Sequence, residues 1–479
     1  MIRMSIREMV EATGSTLVCG ADSPCFVGVQ IDSRKVEGSN LFVAFKGEQV
    51  DGNRFCDSAI DKGAAAVVVT DEPSPETLVA AERTGAAVVR AKDDDGEEFM
   101  LALAEAWRKA NPQWVVVGVT GSVGKTTTKE MLAAGIGAVR RVHATKGNFN
   151  NLLGVPLTLF AADAADEVLV VEMGMNNAGE LTRIAKAARP QVAVITNVGT
   201  AHIGLLGSRD NIARAKAEVV EGLVAAAGIE PAVVLSATDD YADFIEKNYA
   251  REVGARTFFV GAKDESAVWA TDVTLDENGL PSVVVHFGDG TLIEGTLSVP
   301  GKAMVFDLLS ALGAVEALGL DRQAAFAAIE RFSSGKMRLE VKQKGGTCRV
   351  IDDSYNASPA SMAASIDVLC SMRCDGRRIA VIGEMGELGD EAERLHAMVG
   401  AYAAAKDLDL LIIVGGELAD VMAEAARTMG YSEDHLERFE TASDAARVMA
   451  QVFTEDDLVL VKASRAVGLD RFVEEVLDR

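Results

Sequence analysis

An apolar run, Val115-Val-Val-Gly-Val119, breaks into the small-residue loop Thr120-Gly-Ser-Val-Gly124 and continues as Lys125-Thr-Thr-Thr128. A buried strand that stops at glycines and opens a helix belongs inside a parallel α/β sheet. The same stretch can cradle phosphates. Backbone N–H groups turn inward, the helix N-terminus favours anions, and a lysine reaches the terminal phosphates. Gly121, Ser122, Val123, Gly124, Lys125, Thr126 and Thr127 are therefore the expected nucleotide contacts, with the Thr126 hydroxyl suited to a Mg2+ shell. The common pattern G-x-x-x-x-G-K-[ST] asks for glycine at position 119, where Val119 stands. The bland alternative is a glycine-rich turn with an exposed lysine. The order of strand, loop, lysine, hydroxyls and helix favours the phosphate loop.

The same rhythm repeats along the chain. Val168–Val171, Val192–Ile195 and Ala232–Leu235 are further near-continuous apolar runs separated by helical stretches, so the expected core is a doubly wound α/β sheet. Residues 267–298 alternate around Asp289-Gly290 and read as a small antiparallel insertion. Before this core, Leu41–Phe45 and Ala64–Val69 read as strands, the stretch from Lys46-Gly47 to Asp51-Gly52 as loop, and Phe99–Ala110 as a helix that Asn111-Pro112 stops. After it, Arg378–Ile382, Leu410–Val414 and Leu458–Val461 are strands of a further α/β unit. We expect three domains: a small N-terminal α/β domain over 1–111, a central P-loop domain over 112–332, and a Rossmann-like domain over 333–479.

With 47 basic and 72 acidic residues the net charge is −25, which repels nucleic acid and anionic membranes. An anionic substrate then needs local basic pockets, so lysines and arginines in glycine-rich loops gain interest. No apolar stretch is long enough for a membrane span, and the first ten residues are charged and lack the apolar core of a signal peptide. The six scattered cysteines read as free thiols of a cytoplasmic protein.

Other polar groups fall at strand ends. Val168-Leu-Val-Val-Glu172 delivers a carboxylate where P-loop proteins commonly bring an acid to the metal, although a strand-end acid can simply be a surface one. Ile195-Thr-Asn-Val-Gly-Thr-Ala-His202 does the same with a histidine, at the edge where open α/β sheets bind ligands. Lys216, in Ala213-Arg-Ala-Lys-Ala-Glu218, sits on an expected helix and by pattern alone is a solvated lysine. Gly383, Gly386 and Gly389 are badly spaced for a dinucleotide fingerprint, and Glu384, Glu387 and Asp390 would repel a pyrophosphate.

Taken together, Val119–Thr127, Thr145-Lys-Gly-Asn-Phe-Asn-Asn151 with Gly154-Val-Pro-Leu-Thr158, Val171-Glu-Met-Gly-Met175, Thr196–His202 and Ala215-Lys216 resemble the Mur ligase family, the ATP-dependent amide-forming enzymes of peptidoglycan precursor synthesis. The family's loop also lacks the first glycine. Ile351-Asp-Asp-Ser-Tyr-Asn-Ala-Ser-Pro359, with Gly383–Gly389 and His396, resembles those members that add D-alanyl-D-alanine to UDP-N-acetylmuramoyl-tripeptide rather than a diamino acid or a folate-linked glutamate. The resemblance spans essentially the whole chain.

It implies a role for each matching position. Lys125 would contact ATP phosphates and Thr126 a first Mg2+; Glu172 would bind magnesium and His202 a second ion. Lys216 would take up CO2 to become a carbamate, and Lys125, Lys216 and His202 would form the catalytic set. Asn148, Asn150 and Asn151 would face the UDP-muramoyl tripeptide, and Ser33, Arg34, Lys46 and Gly47 its uridine nucleotide. Asp353, Asn356 and Pro359 match a signature loop near ATP and the incoming dipeptide. Gly335-Lys-Met-Arg338 matches a linker element, and Lys462, Ser464 and Arg465 match a loop facing the dipeptide or acyl phosphate. The chain departs from the family at Ser236, Ala303, Met304 and Asp307, around the expected adenine and ribose, and at Leu152 and Ala463. The implied partners are small molecules only, acting on a monomer whose three domains close around one cleft.

Overall fold

The computed structural model describes residues 1–47, 50–261 and 266–478. Its centre is a nine-stranded sheet. From one edge the strands run Val142–Ala144, Val168–Glu172, Val115–Thr120, Val192–Ile195, Ala232–Ser236 and Arg256–Val260, each parallel to its neighbour. Most of these strands are buried on both faces, which is why they read as unbroken Val/Ile runs. Their register sets the site: Glu172 lies opposite Val119, and Ile195 opposite Thr120. The segments after three adjacent strands, at 121–124, 173–175 and 196–202, therefore leave the same sheet edge.

The expected antiparallel segment is present but is no separate insertion. Val268–Leu275 joins the sheet through a parallel pairing of Val260 with Val268, and Pro281–Phe287 and Leu292–Thr296 extend it antiparallel. Helices Lys125–Gly137 and Ala303–Ala317 cover one face through a core that includes Met131, Leu132, Leu308 and Leu312.

In the N-terminal part, the strands Thr16–Cys19, Ala87–Arg90, Ala66–Val69, Leu41–Val43 and Val29–Gln30 form one sheet, parallel except at its first pairing. In the segment read as loop, Glu48 and Gln49 lie outside the described residues; Lys46 bridges Asp51, and Gly47 N–H donates to Val50 O at 3.0 Å. Helix Gly96–Ala110 ends at Asn111, as expected. The following linker is pinned by Arg108, which is 3% exposed and donates to Asn111 O, Trp114 O and the Gln191 side chain. Trp107 and Trp114 meet edge-on at 5.9 Å beside it.

The C-terminal sheet orders Glu340–Lys342, Arg349–Asp352, Leu458–Lys462, Arg378–Gly383, Leu410–Val414 and Leu436–Phe439, parallel but for the first. Lys216 lies on helix Arg209–Ala217, whose start is capped by the Ser208 hydroxyl. All six cysteines are free, and among the described residues no helix is long and apolar enough to cross a membrane.

Candidate active site

The phosphate loop is locked by the neighbouring strand end. Thr196 Oγ1 donates to Val123 O at 2.6 Å, Asn197 Nδ2 donates to the same carbonyl at 2.9 Å, and Asn197 Oδ1 accepts from Val123 N–H at 3.0 Å. Gly199 N–H donates to Ser122 Oγ at 2.8 Å. The loop needs its glycines. Gly121 has φ +146°, and a Cβ there would lie 1.9 Å from Thr196 Oγ1; Gly124 has φ +84°, and a Cβ there would lie 2.2 Å from Asp307 Oδ1. Gly124 begins helix Lys125–Gly137 with no side-chain cap, so the helix N-terminus is free for an anion.

Gly121→Ala is accordingly expected to cost about 2 kcal/mol or more through backbone strain and the broken Thr196 bond. A melting midpoint equal to that of the unaltered chain would refute this loop geometry.

Lys125 Nζ turns back onto Gly121 O at 2.7 Å and Ser122 O at 3.3 Å. By surface area the residue is half-buried, but its ammonium lies deep in the loop, and burial pushes it below the ordinary lysine value against the pull of Glu172. Glu172 is 2% exposed. Its Oε1 accepts from Thr126 Oγ1 at 3.2 Å and Asn150 Nδ2 at 2.8 Å, while its Oε2 is buried with no hydrogen-bond partner. An orphaned carboxylate oxygen beside a P-loop hydroxyl suits Mg2+, which takes one or two carboxylates and fills its shell with water and phosphate oxygens. Among the described residues no cluster of three or more His, Cys, Asp or Glu could hold a metal alone.

Lys216 is 1% exposed and has no hydrogen-bond or ion-pair partner among the described residues. Burial, aided by the nearby Lys125 charge, pushes its pKa well below the ordinary value. Burial without a partner disfavours the ammonium form of this side chain. His202 has φ +64° and lies 2.7 Å from Glu387 Oε2 through Nδ1, outside good hydrogen-bond alignment. The His202 contact, with burial opposing it, keeps the Glu387 carboxyl below its usual range.

The opposite wall comes from the C-terminal domain. Lys462, 3% exposed, donates to Asp353 Oδ2 at 2.5 Å and Asn356 O at 3.0 Å. Asp353 also accepts from Ser365 Oγ at 2.6 Å and Leu339 N–H at 3.2 Å. Lys462 and Asp353, expected on substrate and nucleotide, thus hold each other and shape the 353–356 loop. Ser464 N–H donates to Glu384 O, and Arg465 pairs with Asp470 at 2.9 Å. Pro359 is the first residue of helix Pro359–Ser371, where its fixed φ suits a helix start. His396 is buried: its Nε2 accepts from Met385 N–H at 2.9 Å and its Nδ1 donates to Ala392 O at 2.7 Å, so it supports the 383–389 loop as a neutral ring.

Between these walls lies a cavity of about 950 Å3 that brings together residues 122–127, Asn148, Asn150, Asn151, Glu172, His202, Asp353, Asn356, Lys462, Ser464 and Arg465. Ser33, Arg34, Lys46 and Gly47 stand apart from it on the N-terminal domain. Arg34 is exposed and bidentate to Asp32, whose carboxyl it lowers to about 2; Lys46 faces Asp71 at 3.7 Å; and Ser33 O accepts from Lys62 Nζ. Of the departures, Ser236, Ala303, Met304 and Asp307 all line the cavity, and Asp307 also presses on Gly124. Leu152 packs on the apolar core, and Ala463 is buried against Gly383.

The structure adds four contacts that the sequence did not give: Glu387 against His202, Arg338 stacked 4.3 Å over Tyr355, Thr145 Oγ1 accepting from Glu172 N–H, and Asp239 Oδ2 accepting from Val198 N–H. A carboxylate in the Gly383–Gly389 string and an arginine in Gly335–Arg338 were visible as residues, but nothing in the spacing pairs them with the P-loop side.

Sheet, loop and two-walled cleft define a three-domain P-loop α/β protein. The chain matches the Mur ligase family catalytic domain over residues 26–108, the Mur ligase middle domain over 119–315 and the Mur ligase glutamate ligase domain over 337–465. The chain belongs to the Mur ligase family. It is 32% identical over 487 residues to the UDP-N-acetylmuramoyl-tripeptide–D-alanyl-D-alanine ligase of Bacillus subtilis, covering 100% of this chain and 99% of that one. A crystal structure of MurF from Acinetobacter baumannii aligns over 100% of both chains at 27% identity with a TM-score of 0.88. The MurF ligase of Thermotoga maritima, crystallised with ADP, covers 94% of this chain and 97% of its own at 27% identity, with a TM-score of 0.79.

Proposed function

We infer that this chain joins D-alanyl-D-alanine to UDP-N-acetylmuramoyl-tripeptide at the expense of ATP, a step of peptidoglycan precursor synthesis. The observation that carries this is one cleft with Lys125, Thr126 and Glu172 on one wall and the Asp353–Lys462–Asn356 loop on the other. It is supported by end-to-end similarity to ligases of that name.

The tripeptide's terminal carboxylate attacks the γ-phosphorus of ATP, ADP leaves, and an acyl phosphate forms. The dipeptide amine then attacks the acyl carbon, loses a proton, and phosphate departs. Such chemistry needs positioned charge more than covalent help from the protein. Lys125 exchanges its two carbonyl partners for phosphate oxygens and stabilises charge on the transferring group. Glu172 and Thr126 would hold Mg2+, with Asn150 and Thr145 fixing the carboxylate; His202 is our candidate for a second ion. Bound magnesium would neutralise phosphate charge and draw the two anionic reactants together.

Lys216 suits a carbamate. CO2 adds to the neutral amine, releases a proton, and leaves an anionic oxygen donor where the structure has an unpaired buried nitrogen next to Lys125. Asn148, Asn151, Ser464 and Arg465 are assigned to the muramoyl peptide and dipeptide, and Ser33, Arg34, Lys46 and Gly47 to the uridine nucleotide. We place the enzyme in the cytoplasm as a monomer, a setting that six free thiols suit.

Phosphate release is expected only when ATP, UDP-muramoyl tripeptide and D-Ala-D-Ala are all present, with ligated pentapeptide detected by mass spectrometry. Nucleotide binding or hydrolysis with no ligated product would instead make the chain a nucleotide-binding relative of the ligases, a reading motivated by Ser236, Ala303, Met304 and Asp307.

A further inference from the structure

Asp307 is a carboxyl group placed where an anion-binding loop least tolerates one. It lies on helix Ala303–Ala317, 7% exposed, against Gly124, the residue that opens the phosphate-loop helix. Its Oδ1 accepts from Thr128 Oγ1 at 3.1 Å, one turn into that helix, and its Oδ2 has no hydrogen-bond donor among the described residues. It also lines the cleft. A triphosphate on the loop and a carboxylate beneath it would be two anions at one helix terminus, and like charges so close do not both ionise readily.

Few charges are available to offset Asp307. Among the described residues, Arg338 is the cation that acts on it from across the cleft, and Asp239 lines the same cavity. On the phosphate-loop helix, Lys125 is turned onto its own loop, and Lys129 is spent on Glu130 and Thr145 O. Lys302, at the start of its own helix, is exposed; Glu316 lies at the far end and is held by Arg322 of helix Arg322–Ile329. The strands packed on this helix present apolar groups such as Val234 and Val260. Burial raises the Asp307 carboxyl to about 7, against the pull of the Thr128 bond and Arg338.

We propose that Asp307 is a positioning residue of the phosphate loop that must carry a proton while nucleotide is bound, so that nucleotide binding takes up a proton at this side chain. This rests on the nucleotide site inferred above and adds a proton to its binding equilibrium. As an acid, Asp307 keeps its contacts with Gly124 and Thr128 without opposing the phosphates. As a carboxylate, it competes with them for the helix N-terminus. The sign follows: nucleotide affinity is full below the free-state pKa and falls as pH rises through it, until the higher pKa of the bound state is passed.

The test is calorimetric titration with Mg2+ and ADP from about pH 6 to about pH 8.5, in buffers of different ionisation heat. The unaltered chain should take up a substantial fraction of a proton per ADP near neutral pH, and lose affinity by up to about tenfold per pH unit above about pH 7. Asp307→Asn keeps the shape without the charge. It should abolish the uptake, flatten the loss of affinity, and bind ADP more tightly than the unaltered chain at the alkaline end. The titration of ADP itself is common to both proteins and cancels. Thr128→Val removes the bond that favours the carboxylate, so its pH midpoint should move upward; this variant carries the test if Asp307→Asn melts early. Equal pH slopes for the unaltered chain and Asp307→Asn, or an unmoved midpoint in Thr128→Val, would overturn the proposal while leaving the nucleotide site standing. Absence of ADP binding at every pH would remove the nucleotide site itself, and this proposal with it.

Discussion

Lys125→Ala is expected to slow ligation on the order of 10³-fold, about 4 kcal/mol of transition-state stabilisation, because it removes the one cation rooted in the phosphate loop. The loop itself should survive the change. Its shape depends on Thr196, Asn197 and Gly199, and the lysine contributes only bonds to Gly121 O and Ser122 O. The melting midpoint should therefore stay close to that of the unaltered chain while turnover collapses. Steady-state phosphate release at saturating substrates measures the first quantity and a thermal melt the second. Turnover within a factor of a few of the unaltered enzyme would remove Lys125 from the chemistry.

Lys216→Ala should be nearly as damaging to turnover, on the order of 10³-fold, for a different reason. On the carbamate reading proposed above, the side chain would act through the anion it becomes rather than as a buried amine with no partner. Short carboxylates such as acetate fit the space the truncation leaves, and millimolar additions should restore part of the rate to Lys216→Ala but none to Lys125→Ala. The pKa direction adds a stability consequence. A lysine lowered in the folded state binds fewer protons there than in the unfolded chain, so it costs stability below its unfolded pKa, and that cost shrinks as pH rises. Lys216→Met should then raise the melting midpoint at neutral pH in CO2-depleted buffer while abolishing ligation. A lower midpoint, together with no rescue by carboxylates, would make Lys216 a packing residue.

The parts of this molecule readable from the chain are those in which neighbours in sequence act together. Gly121–Thr127 is contiguous, and Glu172 and Thr196–His202 follow adjacent strands whose register carries them to one edge. Parallel strands buried on both faces advertise themselves by composition, which is why the three larger sheets were expected; edge strands such as Leu436–Phe439 and the two-stranded pair Arg3–Ser5 with Cys25–Val27 lack that signature and passed unnoticed. Lys216 was identifiable only through the resemblance, since its burial is a tertiary fact. The pairs His202–Glu387, Asp307–Gly124 and Arg338–Tyr355 were out of reach, because no periodicity relates residues on separate elements brought together only by the tertiary fold. Asp353 and Lys462 were both singled out, but for ligands rather than for each other: a motif marks a residue as special without saying what it touches.

Beside His202, Gly204 N–H donates to Glu387 O, and a Cβ on Gly204 would come within 2.4 Å of Gly389 N. Two backbones meet there with only hydrogens between them. In this structure the two segments stand as near as their backbones allow. A methyl group at position 204 would prop the lobes apart, with Glu172 on one side and the Asp353 loop on the other. A gap of even about 1 Å can cost on the order of 10²-fold in a reaction that depends on alignment. Tolerance to change is therefore narrow even at a place that touches no reactant, where the dimension at stake is the width of the cleft.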